Sequence, residues 1–146
     1  FLRYLAQFQI RQERMEEALK TYQKVVEVTE EPKEKALARL DLADYMRYLG
    51  DALGADEIYQ KVLREHPDLT EAKLRYARFL YNAARREEGK EQYRKLIEEL
   101  SEKPEAIDYL KQAYQELYNI LNSEGARSEA KALYKEAKKR HRVKLS

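Results

Sequence analysis

Four tyrosines, Tyr22, Tyr59, Tyr93 and Tyr134, sit in one short phrase repeated along the chain. Each follows a tiny residue by four positions (Ala18, Ala55, Gly89, Ala130) and precedes Val25, Val62, Leu96 or Ala137 by three. The tyrosines are 37, 34 and 41 residues apart. A period of that length predicts stacked repeats, each burying its apolar face only against its neighbours. A second pair precedes each tyrosine by sixteen or seventeen residues: Leu5-Ala6, Leu42-Ala43, Tyr76-Ala77 and a weaker Leu117-Tyr118. Large beside small at fixed spacing lets one helix approach the next closely. Each unit therefore reads as helix A, a tight turn and helix B.

The turn residues agree. Gly50-Asp51 places a left-handed C-terminal residue before a helix-starting Asp, and Gly125 does the same in the last unit. Ala83-Ala84-Arg85 stands where the third unit should carry its glycine. Pro67 closes one unit, while Pro32 and Pro104 suit a first helical turn. The pattern predicts an all-α chain with helices at about 1–11, 14–29, 33–49, 53–65, 69–83, 86–101, 105–122 and 127–141. The balance of 43% apolar and 38% charged residues, with 4 Gly and 3 Pro, suits helices better than sheet or disorder.

These units resemble tetratricopeptide repeats. Leu42, Ala43, Gly50, Asp51, Ala55, Tyr59 and Pro67 satisfy nearly all of that family's pattern in residues 36–69. The unit at 70–103 keeps Ala77, Gly89 and Tyr93, and the one at 104–141 keeps Leu117, Gly125, Ala130 and Tyr134. The resemblance implies a single domain over 1–146, a right-handed α-solenoid of about four repeats, the first at about 1–31. It also implies a concave face lined by helix A that holds a peptide segment or helix of a protein partner.

Projection from the Leu-Ala pairs places Arg3, Gln7 and Arg11 on that face in the first unit. Leu40, Asp44, Arg47 and Tyr48 follow in the second, and Leu74, Arg78, Tyr81 and Asn82 in the third. Gln115, Asn119 and Asn122 come from the last. Asn can bond both backbone groups of an extended peptide, Arg can fork onto carboxylates, and Tyr offers flat area at low entropic cost. The tyrosine series itself reads as core filler whose hydroxyls must find partners. Relatives that clamp acidic C-terminal tails use Lys, Asn, Asn, Lys and Arg at set positions. The matching residues here are Arg3, Gln7, Asp41, Glu71 and Arg75, so two carboxylates would oppose such a ligand.

No catalytic constellation, metal site or cofactor is expected. His66 and His141 have no second ligand at helical spacing, and the four glycines form no phosphate-cradling loop. No run reaches the ~18 to 20 apolar residues of a membrane span. Lys138, Lys139, Arg140, Arg142 and Lys144 make 138–146 a basic C-terminal tail, leaving 24 Lys/Arg against 27 Asp/Glu elsewhere. A weakly acidic body argues against nucleic-acid binding. The tail reads as a dipole-complementing, solvating end, with an electrostatic contact to RNA or an anionic partner as the alternative.

Three functions compete: a non-catalytic protein-interaction scaffold, a designed helical-repeat scaffold with no evolved ligand, and an RNA-processing helical repeat. Absent Cys and Trp fit a design, but spacings of 37, 34 and 41 do not fit a consensus array. Because Phe1 begins in mid-pattern, the N-terminal edge is expected to be open to a preceding unit or to self-association.

Overall fold

A computed structural model describes the backbone of residues 2–146 and the side chains of residues 4–146. All its regular structure is helical among the described residues: α1 (Leu2–Val28), α2 (Pro32–Tyr48), α3 (Ala52–Glu65), α4 (Thr70–Asn82), α5 (Arg86–Leu100), α6 (Ile107–Ser123) and α7 (Arg127–His141). A 3-10 turn at Pro104–Ala106 leads into α6. The repeated helix-turn-helix expectation holds from α2 onward. It does not hold for the first unit, where the two helices expected at 1–11 and 14–29 are one continuous α1. The reason is local: Glu13-Arg14 stands where the next unit has Gly50-Asp51, and neither residue interrupts a helix.

Three turns share one hydrogen-bond scheme. Asp51 N–H reaches Met46 C=O at 2.9 Å, Arg85 N–H reaches Leu80 C=O at 3.0 Å, and Ala126 N–H reaches Leu121 C=O at 2.9 Å. This six-to-one bond needs the preceding residue in the left-handed region. Gly50 takes φ +93°, Gly125 takes φ +78°, and Ala84 adopts φ +64° without being glycine. Asp51 Oδ1 then accepts the Gly54 N–H at 2.9 Å and starts α3. Glu31 caps α2 by accepting from Lys33 N–H (3.2 Å) and Glu34 N–H (2.7 Å), with Pro32 at the first position.

The chain divides into two compact units, residues 1–72 and 73–146. In the first, α1 packs on α2 and α2 on α3. Ala36, Leu40 and Ala43 form one stripe on α2, and Ala55, Tyr59 and Val62 form the matching stripe on α3; all six are at most 1% exposed. Both stripes run i, i+4, i+7, the spacing of a single helix face. Burying each larger member contributes roughly 1.5–3 kcal/mol. Leu40, expected on the concave face, is core.

In the second unit, α5 packs on α6 and α6 on α7. Its core runs from Leu74 and Ala77 through Tyr93, Tyr114 and Leu117 to Ala130 and Ala137. Leu74 is fully buried, so it too is core and not groove lining. Gly89 lets α5 approach α4 closely: a Cβ there would lie 2.7 Å from Tyr81 N.

The expected basic tail splits in two. Lys138, Lys139 and Arg140 occupy the last turn of α7, as the helix dipole favours. Arg142 then turns left-handed at φ +56°, and Val143 N–H bonds Ala137 C=O at 3.1 Å. Val143 and Leu145 drop into the core of the second unit. Ser146 N–H donates to Gln115 Oε1 at 2.9 Å, and Gln115 Nε2 donates to the Ser146 carbonyl at 3.3 Å.

Candidate interaction surface

Four of the residues selected by helical projection meet in one place. Arg78, Tyr81 and Asn82 from α4 and Asn119 from α6 line a cleft of about 210 Å³, together with Tyr93, Glu116 and Ile120. The sequence reading missed Glu116, which organises the cleft. Its carboxylate accepts two bonds from Arg78, at 2.9 Å from Nε and 2.8 Å from Nη2. It also accepts the Tyr93 hydroxyl at 2.7 Å. The signal that could have found it is the buried tyrosine, whose hydroxyl needs a partner in a neighbouring helix.

This geometry sets the protonation states. Burial alone would raise the Glu116 carboxyl, but the bonds from Arg78 and Tyr93 outweigh it and hold the group below its ordinary value. Burial, reinforced by Glu116, pushes the Tyr93 hydroxyl far up. The Glu116 hydrogen bond likewise raises Arg78, against its partial burial. At neutral pH the cleft thus holds a compensated ion pair. Arg78 has already committed its fork to an internal carboxylate.

One wall continues into a second network. Tyr81 donates its hydroxyl to Glu124 Oε2 at 2.9 Å, and Lys90 Nζ reaches Glu124 Oε1 at 2.7 Å and Glu87 at 2.8 Å. Lys90 is buried, and its bonds to Glu124 and Glu87 keep it charged by raising its pKa. Lys90 and Tyr81 in turn lower Glu124. The Arg86 guanidinium lies 5.8 Å from the Tyr81 ring centroid. The hydroxyl bond and this cation over the ring together restrict the rotamers of Tyr81.

Exposed Asn82 and Asn119 supply the free amide chemistry at this cleft, although Asn119 Oδ1 accepts the Gln115 amide at 2.9 Å. Asn122 is also exposed but does not line the cleft, and its backbone carbonyl accepts the Gly125 N–H at 3.1 Å. Gln115 holds Ser146 instead of facing an open groove.

The first unit presents a different surface. Tyr22, Asp41, Asp44, Tyr45 and Tyr48 surround an open depression of about 430 Å³. The rings form a ladder: Tyr22 stacks on Tyr45 at 4.9 Å, and Tyr45 on Tyr48 at 5.9 Å. Asp44 accepts the hydroxyl of buried Tyr59, so it serves the core as well as the surface. Arg47 and Tyr48 are exposed at the end of α2. Gln7 and Arg11 stand exposed on the first half of α1, with no helix folded back beside them. The side chain of Arg3 lies outside the described residues.

Among the described residues no three His, Cys, Asp or Glu side chains converge as a metal site requires. No helix among the described residues is long and apolar enough to cross a membrane.

Comparison with known families matches residues 37–69 to the tetratricopeptide repeat. The matched segment covers most of α2, its turn and all of α3, the unit whose motif residues are most complete. No curated protein matches the chain. The repeat family supports a protein-interaction scaffold, and the family is generally non-catalytic.

Proposed function

We propose that this chain is a non-catalytic scaffold that holds an extended peptide segment or helix of a partner protein against the exposed side chains of its helix A elements. The observation that carries the reading is the α4–α6 cleft. There Arg78, Tyr81 and Asn82 of α4 meet Asn119 of α6 beside apolar Ile120. Two exposed carboxamides flanking a rigid ring suit a polypeptide backbone, because each can donate and accept at once. Tyr81 and Ile120 supply flat and apolar area for an alternate side chain of the same segment.

The electrostatics narrow the partner's chemistry. Since Glu116 neutralises Arg78, the cleft favours a segment without a carboxylate at its centre. A terminal carboxylate would have to displace Glu116 and leave Tyr93 without its acceptor. That substitution costs a buried hydrogen bond and gains nothing. The weakly acidic body gives no matching argument for RNA.

The test is site-specific cross-linking. A photoreactive residue at position 122, exposed on α6 three residues beyond Asn119, should capture a partner segment that the same residue at Lys61, on exposed α3 surface, does not. Asn82→Ala with Asn119→Ala should reduce that capture by at least about fivefold, the worth of one lost hydrogen bond. Equal capture from both positions, or capture untouched by the two alanines, would refute the reading.

A further inference from the structure

Residues 143–146 already sit on the second unit as a bound peptide would. Val143 is 5% exposed and Leu145 8%, while Lys144 and Ser146 are exposed. Inward and outward residues alternate, the pattern of an extended segment with anchors two apart. Both anchors join the buried cluster that holds Leu110, Tyr114 and Leu117 of α6 and Ala137 of α7. At the far end the Gln115 carboxamide grips one residue's backbone twice. It accepts the Ser146 N–H at 2.9 Å and donates to the Ser146 carbonyl at 3.3 Å. Main-chain hydrogen bonds, with pockets for alternate side chains, are how proteins hold extended segments of a partner. Gln115 does for this chain's own backbone what a carboxamide on α6 would do for another's.

The junction with α7 concentrates two costs. Arg142 takes φ +56°, a left-handed conformation that its Cβ opposes. Next to it, His141 Nε2 is buried with no hydrogen-bond partner within the protein, its ring against Tyr114. Two modest side chains and a few backbone bonds must offset both costs and the ordering of the segment as well. Such a balance favours local opening that leaves the helices in place. Since α6 and α7 pack directly on each other, lifting the segment uncovers a site without separating the pair.

We infer that residues 143–146 are a strap that fills a peptide site on α6 and α7 from within the chain, and that a partner segment takes the site when the strap lifts. The segment it fits is extended, with aliphatic residues of the size of Val and Leu two positions apart, followed by a backbone amide opposite Gln115. Gln115 Nε2 also donates to Asn119 Oδ1, so the site borders the α4–α6 cleft. It does not depend on that cleft holding a segment of its own.

The test uses the full chain and a free peptide with the sequence of residues 142–146. In the parent, the Val143 N–H should exchange at least about tenfold faster than amides at the centre of α6, because the strap opens without global unfolding. Val143→Ser with Leu145→Ser should hold the strap open and keep the parent's helical dichroism. In a nuclear magnetic resonance titration, that variant should bind the peptide at least about tenfold more tightly than the parent, whose own strap competes. The Gln115 side-chain amide should shift as the peptide binds. Adding Gln115→Ala should weaken binding at least about fivefold. An unmoved Gln115 amide, equal binding to parent and variant, or binding untouched by Gln115→Ala would overturn the inference. So would Val143 exchange that occurs only with the whole core, or a double-serine variant that loses its helices, since either makes these residues permanent core.

Discussion

Ala84 adopts a backbone conformation that its side chain opposes. The left-handed region costs a non-glycine residue about 1–2 kcal/mol through the clash of Cβ with the following carbonyl. Gly50 and Gly125 make equivalent turns without that cost. Ala84→Gly is therefore expected to stabilise the protein by about 0.5–1 kcal/mol, once the greater freedom of unfolded glycine is subtracted. A urea midpoint that falls in the variant would show that the turn is held differently. Glu116 gives a second test at this scale. Its carboxyl is held below the ordinary value of 4.5, so its contribution is present above that pH and lost as pH falls through the lower folded value. Tyr93 has the opposite sign: raised above its ordinary 10.0, it contributes below that pH and loses the contribution only as pH climbs further. Glu116→Ala should cost about 1.5 to 3 kcal/mol at neutral pH, nearer the lower figure because Arg78 is partly exposed. It should also flatten the loss of stability as pH falls below the ordinary value of 4.5. An unchanged acid slope in urea titrations would show that the carboxylate is not coupled to folding.

The elements show what the sequence made readable and what it did not. Six of the eight expected helices appear within about two residues of their anticipated ends, because Gly50, Gly125, Pro32 and Pro67 mark chain reversals that only a few residue types permit. The turn at Ala84 lacked that mark and still formed, since packing on both sides over-determines it. The break expected near residue 12 did not form: Glu13 and Arg14 are good helix formers, and period alone cannot impose a turn. Of the residues that line the α4–α6 cleft, Arg78, Tyr81, Asn82 and Asn119 were legible from helical projection. Glu116 was not, because it looked like one more solvated carboxylate until the fold placed Tyr93 beside it. The C-terminal fold-back was equally hidden, with Val143 and Leu145 lying inside a run of cations. Leu145→Asp is expected to destabilise the second unit by roughly 2–3 kcal/mol, through lost burial and an unpaired buried charge. Thermal melting that matches the parent would place the tail outside the core.

Across the whole molecule, residues 73–146 have a contiguous core that reaches from α4 to the chain's last turn. A fragment beginning at Pro67, which keeps the start of α4 intact, is expected to retain helical circular dichroism and melt cooperatively. A featureless, non-cooperative melt would mean that the second core depends on the first. The tyrosine ladder of the other unit offers a label-free view of the remaining half. With twelve tyrosines, three phenylalanines and no tryptophan, near-ultraviolet signals from this protein come mainly from phenol rings. Rings as close as those of Tyr22, Tyr45 and Tyr48 couple their transitions, so near-ultraviolet dichroism should register whether the long first rod rests on its neighbour. Any rearrangement of that rod would be visible optically, with no dye attached.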